Sequence, residues 1–334
     1  MQMEKIALAT VGSGTIVCQF LAGCKEKCPE LVHRAVYSRT RERGEAFAQE
    51  VGLTPDRVWT DLDALAQSGE VQAVYIATPN AFHAAQAETF LKAGVHVLCE
   101  KPATVTPEEL EQLHACADEQ GVIFMEGIMA PHQPRFQALR EAVSRAGKLS
   151  GAVFDFSQLS SRYPALERGE MPNIFNPALA EGALMDIGYY AVYLAAELFG
   201  QPEELFARAS FLSTGADGAG SALFRYSWGN CLLNWSKTAQ TLSPSEIMGD
   251  QGTVTFFPVS RILDLTFQDR AGNRQLLFGE ESHDASLGNE AADFVRYIRD
   301  PAGTREEYLH HRETSKLASR LTAEIRRQCE IVYR

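Results

Sequence analysis

Over its first 125 residues the chain alternates short β-branched runs with helical stretches, a pattern that dictates a doubly wound parallel sheet. Strand-like runs cover residues 6–11, 31–37, 73–77, 96–99 and 123–126, with a brief apolar touch at 58–59. Helical patterns cover 15–27, 41–51, 62–67, 83–93 and 107–119. Parallel strands cannot be joined by tight hairpins, so each return needs a crossover, and helices of this length supply it.

The second half changes character. A helix over 135–146 stops at Gly147, and longer strand-like runs follow at 152–158, 205–212, 221–226, 231–238 and 263–268. Turn signals such as Trp228-Gly229-Asn230 and Ala271-Gly272-Asn273 separate several of them, which implies a largely antiparallel open sheet in an α+β domain. From about Ser286 the pattern returns to helix, in two pieces broken near Pro301-Ala302-Gly303. The expected division is residues 1–126 as a nucleotide-binding domain and 127–334 as a substrate-binding and dimerisation domain, with the boundary near 126–134. The broad sheet face suggests a homodimer or higher homo-oligomer, although helices could equally cover it.

Composition narrows the function classes. A length of 334 residues suits two cores, and the net charge of −12 comes without any basic run. Nucleic acid and anionic membrane are thereby disfavoured, because both select for clustered Lys and Arg. No apolar stretch approaches the roughly 20 residues that cross a bilayer, and the N-terminus runs directly into a strand pattern without a signal sequence. Seven scattered cysteines suggest reduced thiols in a cytoplasmic protein. Cys24 and Cys28 have the spacing of a helix-face metal pair, but no His or second Cys pair accompanies them, and no metal is expected.

The first strand leads into Gly12-Ser13-Gly14-Thr15-Ile16-Val17. Two glycines of a dinucleotide fingerprint stand between a first strand and a first helix: Gly12 for the tight turn, Gly14 for close approach of a pyrophosphate to the helix N-terminus. Ser13, Thr15 and Ile16 would complete that cradle, while Val17 departs from the usual third Gly or Ala. At the end of the second strand, Ser38 and Arg39 replace the acid that would bind two ribose hydroxyls. They suit a 2′-phosphate and favour NADP, with NAD possible; alternatively Arg39 stacks on adenine or is simply solvated.

Residues 73–102 read AVYIATPNAFHAAQAETFLKAGVHVLCEKP. Through its A-T-P-N-x-x-H and E-K-P motifs this segment resembles the glucose–fructose oxidoreductase, inositol dehydrogenase and rhizopine catabolism (Gfo/Idh/MocA) family. Residues 126–151 and 181–200, the latter reading EGALMDIGYYAVYLAAELFG, resemble in particular its dihydrodiol dehydrogenase and glucose–fructose oxidoreductase branches, the first most of all. The resemblance covers essentially the whole chain. It implies that Thr78, Pro79, Asn80 and His83 line the cofactor site near the nicotinamide ribose. It likewise implies that Glu100, Lys101 and Pro102 end a strand at the active site. Lys101 offers a cation that stabilises an incipient alkoxide, and Glu100 can pair with it or hold the ribose. Without the other motifs, Glu100 and Lys101 would read as a surface pair before a proline turn.

Many relatives carry D-x-G-x-H, in which the His moves the proton. Here the matching stretch is Asp186-Ile187-Gly188-Tyr189-Tyr190, so Tyr190 stands at the His position. A phenol is a poor base at neutral pH unless a cation such as Lys101 lowers its pKa. Tyr190 or Tyr193 would otherwise be core aromatics of a helix spanning 183–199, and Asp186 binds substrate or caps that helix. After the Glu matching Glu126, relatives of this branch carry Trp and Arg; here stand Met129, Pro131 and His132, where His132 is a substitute contact or a structural His. Tyr163 and Asn173 fall in an irregular segment able to cover a substrate, and His310 and His311 read as solvated.

The expected activity is metal-free hydride transfer between NAD(P)(H) and a secondary alcohol or ketone of a sugar, cyclitol or dihydrodiol. The alternatives are an NAD-dependent glycosidase on the same fold and a non-catalytic NADP(H)-binding sensor.

Overall fold

The computed structural model describes residues 5–278 and 283–333. Six strands form one parallel sheet: β1 (Ile6–Val11), β2 (Leu31–Tyr37), β3 (Val58–Trp59), β4 (Ala73–Ile76), β5 (His96–Glu100) and β6 (Phe124–Gly127). Their order is β3-β2-β1-β4-β5-β6, and every pairing is parallel. The crossovers are α1 (Thr15–Lys27), α2 (Arg41–Glu50), α3 (Leu62–Gln67), α4 (His83–Lys92) and α5 (Pro107–Gln120). The strand order reverses between β1 and β4, which places a crevice for a dinucleotide at the carboxyl ends of those two strands. β4 is buried at all four positions, as a strand covered by helices on both faces must be.

The second half opens with α6 (Pro134–Arg145), β7 (Leu149–Ser157) and a short α7 (Tyr163–Glu167). A π-helical turn (Leu184–Gly188) then runs directly into α8 (Tyr189–Phe199). The remaining strands are β8 (Glu204–Phe211), β9 (Asp217–Tyr226), β10 (Gly229–Ser236), β11 (Ser245–Gly249), β12 (Gly252–Phe256), β13 (Leu265–Asp269) and β14 (Arg274–Phe278). The sheet order is β14-β13-β12-β11-β7-β10-β9-β8, with β7 and β10 the one parallel pair. The architecture is therefore a parallel α/β sheet plus an α+β part with a largely antiparallel open sheet, as the sequence pattern requires.

The helical tail differs from the expected assignment of 127–334 to one domain. Compact unit one comprises residues 5–128 and 283–312, and unit two comprises 129–278 and 313–333. The last helices are α9 (His283–Arg299) and α10 (Arg305–Cys329), and α9 packs along α1. The approach is close because both contacts are glycine: a Cβ on Gly288 would lie 2.5 Å from the Gly23 carbonyl oxygen. Tyr308 then donates its hydroxyl to the Phe124 carbonyl at 3.0 Å, and Arg312 forks onto Asp118 with two contacts of 2.8 Å. The signal for this docking was a small residue on each helix, which periodicity does not read.

Candidate functional site

In the first unit a tight glycine turn leads from β1 directly into the N-terminus of α1. Gly12 has φ +118°, and a Cβ there would sit 2.3 Å from the Ala77 carbonyl oxygen, so the position admits only glycine. Gly14 faces open space, with nothing within 4 Å of a Cβ built on it. It precedes α1, whose first turn carries no acidic side chain and whose N-cap makes no side-chain hydrogen bond. The helix N-terminus thus presents its N–H groups, with Ser13, Gly14 and Thr15 exposed and Ile16 partly so. Val17, at the third glycine position, is fully buried and fills the space beneath the helix.

Register brings the other first-unit residues to the same edge. Val11 pairs with both Tyr37 and Ile76, and Ile76 pairs with Cys99, so Ser38, Thr78 and Lys101 all follow strand ends on one side of the sheet. Ser38 is pinned by its N–H to Trp59 at 3.0 Å, while the Arg39 side chain is exposed. Thr78 donates its hydroxyl to Gln86 at 2.7 Å, and Pro79 and Asn80 continue that turn. His83 is buried, with Nε2 at 2.7 Å from the Thr78 carbonyl and Nδ1 at 3.0 Å from the Pro102 carbonyl. Burial lowers its pKa, against the two carbonyl contacts, which raise it, and with a smaller lowering effect from the Lys101 charge; through those contacts the ring ties two loops together.

Lys101 stands partly exposed just beyond β5, before a cis peptide bond to Pro102. The loop is fixed from below, where Glu126 accepts the Ala103 N–H at 2.8 Å. Glu100 accepts the hydroxyl of Tyr75, a buried ring stacked 3.7 Å from Phe20. Glu290 on α9 lies beneath the same strand ends, with Oε1 3.2 Å from a Cβ built on Gly127. Burial, then the charges of Glu100, Asp293 and Glu126, push its pKa up. Glu290 was missed from sequence, yet it occupies the buried phase of α9 together with Leu287, Ala291 and Phe294.

In the second unit the π-helical turn and α8 form one nearly inaccessible rod. From Gly182 to Glu197 every residue is buried except Asp186 and Tyr190, four apart and on one face. Tyr193 is buried as a core aromatic. The Tyr190 ring packs 5.6 Å from that of Phe156 on β7. Trp235 of β10 wedges against Gly188 and Gly220, where a Cβ would meet the indole at 3.0 and 2.3 Å. Asp217 accepts the backbone N–H of Leu184 and the indole N–H of Trp235, which seats the start of the π-helical turn. A π turn inserts one extra residue into a helix and often marks functional positions.

Asp186 is ion-paired with Lys237, a buried lysine just beyond β10 that sequence reasoning passed over. The available signal was its phase, since it continues the buried alternation of Cys231, Leu233 and Trp235. His132 is buried, Tyr163 packs edge-on against Phe175 at 6.4 Å, and Asn173 is exposed in a 3-10 turn. His310 is exposed, but His311 is partly covered beside Tyr297. Cys24 and Cys28 are buried thiols. No helix among the described residues is long and apolar enough to cross a membrane.

Comparison with known proteins adds to this geometry. Residues 6–143 match the family model described as the oxidoreductase family, NAD-binding Rossmann fold, and residues 136–255 match the GFO/IDH/MocA C-terminal domain. The chain is 33% identical to the uncharacterized oxidoreductase YgjR of Escherichia coli over 98% of both chains. It is 34% identical to the scyllo-inositol 2-dehydrogenase (NADP(+)) IolU of Bacillus subtilis, again over 98% of both. Among solved structures it resembles KijD10, a 3-ketoreductase from Actinomadura kijaniata in complex with NADP and TDP-benzene. The TM-score is 0.82 at 22% identity, over 99% of this chain and 100% of that one.

Proposed function

The chain belongs to the GFO/IDH/MocA family of oxidoreductases, and on that premise we propose that it exchanges hydride between NADP(H) and a secondary alcohol or ketone of a sugar, cyclitol or dihydrodiol. The observation that carries this reading is the pair Asp186 and Tyr190, the only side chains left open on a helix otherwise buried from Gly182 to Glu197.

The residues of the first unit fit the cofactor. Gly12, Ser13, Gly14, Thr15 and Ile16 would hold the pyrophosphate with backbone N–H groups, and Ser38 with Arg39 would hold the 2′-phosphate. Thr78, Pro79 and Asn80 would line the nicotinamide ribose with Glu100 and Lys101, while His83 keeps that loop in shape. When bound, the nicotinamide supplies the hydride acceptor or donor. The preference for NADP is supported by the exposed Arg39, by the NADP(+)-dependent IolU and by the NADP complex of KijD10.

The chain's own groups manage the oxygen and its proton. In oxidation Tyr190, acting as its phenolate, takes the hydroxyl proton while the carbinol C–H bond is given up as hydride, leaving a ketone. The Lys101 ammonium stabilises negative charge that develops on that oxygen. Reduction runs the same transfers backwards, with the Tyr190 hydroxyl as acid. A panel of inositols, aldoses and dihydrodiols with NADP, followed at the nicotinamide absorbance, tests the reading. Turnover of at least one polyol is expected, and silence across the panel in both directions would reject it.

A further inference from the structure

Side chains of β10 alternate between its two faces, and Cys231, Leu233 and Trp235 form the row packed inside. Lys237 continues that row, so an ammonium group enters a face where apolar side chains belong, and the residue is 5% exposed. Its backbone is clamped on both sides. The N–H donates to Gly218 at 2.9 Å, and the carbonyl accepts from Ser160 at 3.0 Å. The side chain ends on the Asp186 carboxylate.

An ammonium has three N–H donors, and among the described residues Asp186 is the one polar partner of Lys237. Burying donors without acceptors is unfavourable, so the arrangement calls for another oxygen beside Asp186. The Asp186 side chain is 24% exposed against 7% for Lys237, so the pair is reached through its carboxylate, on the helix face that also presents Tyr190. What the pair offers is an acceptor and a donor side by side, the complement of two adjacent hydroxyl groups.

We propose that Lys237 is a substrate-binding residue that, together with Asp186, grips a vicinal diol. One hydroxyl donates to the Asp186 carboxylate, and the oxygen of its neighbour accepts from Lys237 Nζ. Lys237 therefore selects polyhydroxylated substrates over isolated alcohols, an assignment that rests on the oxidoreductase reading and names its substrate class.

Binding to the NADPH-loaded protein is measured by thermal shift and calorimetry, so that turnover is not needed. The probes are myo-inositol, trans-1,2-cyclohexanediol and cyclohexanol. The wild-type protein binds both diol-bearing probes more tightly than cyclohexanol. Lys237→Gln, which keeps a donor without the charge, weakens the two diol-bearing probes about tenfold or more and leaves cyclohexanol unchanged. Should removal of one charge unfold the chain, the double variant Lys237→Met with Asp186→Asn removes both and shows the same selective loss. Equal weakening of all three probes, retained diol binding in the variants, or no diol preference in the wild type overturns the proposal. A wild-type protein that binds diols but oxidises none would instead reject the dehydrogenase reading and leave the diol grip standing.

Discussion

Asp217 takes the indole N–H of Trp235 at 3.1 Å on the same carboxylate oxygen that takes the Leu184 N–H at 2.7 Å. That one oxygen joins β10 to the start of the turn bearing Asp186, so the position of the proposed proton carrier depends on a buried acid. Burial raises the Asp217 pKa from 3.8 to about 6, against the opposing effect of those two donors.

The first prediction follows from that shift. The folded chain holds this proton more tightly than the unfolded chain, so the contribution to stability is full below about pH 4 and is lost as pH rises through about 6. The size is on the order of 3 kcal/mol between pH 4 and pH 7. Urea unfolding at several pH values should show Asp217→Asn with a flatter pH dependence than the wild type over that interval. Parallel curves for the two proteins would show that Asp217 is not the titrating group.

Gly12 gives a second prediction. Its φ of +118° alone makes Gly12→Ala cost about 1–3 kcal/mol, and the new Cβ must also displace the Ala77 carbonyl. The loop leading to Thr78 then shifts, so the variant loses NADPH binding as well as stability. Gly14→Ala meets no atom of the protein, so its melting temperature in the absence of nucleotide should match the wild type while its nucleotide affinity falls. A Gly14→Ala protein that binds NADPH normally would place the phosphates elsewhere.

The first unit was legible because its signals are local. The parallel strands are short apolar runs, buried at every position in β4 and β6, and each crossover carries its own helical period. In the second unit, 245–249, 252–256 and 274–278 were not read as strands. The first two alternate buried residues with Glu246, Thr253 and Thr255 around a turn at Asp250 and Gln251, and the apolar positions are too few to register. Arg274–Phe278 is an edge strand with no buried position. The site divided in the same way. Gly12 could be found from its place between a first strand and a first helix, and Lys101 and Asp186 through the family resemblance, whereas Lys237, Asp217 and Glu290 are placed by tertiary partners on other elements. Their one trace in the sequence is a charge standing in a buried phase.

A third prediction concerns cofactor choice. Arg39 is exposed beyond β2, where no carboxylate stands to bind ribose hydroxyls. Arg39→Ala should weaken NADPH about tenfold or more while barely changing NADH, because a charge-assisted contact to a phosphate is worth about 1.5–3 kcal/mol. Titration with each nucleotide by fluorescence decides it, and an equal loss for both would mean that Arg39 stacks on adenine.

The last prediction separates chemistry from architecture. Tyr190→Phe keeps the ring that packs 5.6 Å from Phe156 and removes only the hydroxyl, so the fold and NADPH affinity should be unchanged. Loss of general acid–base catalysis should lower kcat about 10²–10⁴-fold. Lys101→Ala removes the charge that stabilises the developing oxyanion and should cost about 10²–10³-fold in kcat, with nucleotide binding largely kept. Because both groups serve the same hydroxyl in this reading, the double variant should lose less than the product of the two single losses. Fully multiplicative losses would mean that Lys101 and Tyr190 act on separate steps. A Tyr190→Phe enzyme with wild-type kcat would pass the proton to another group.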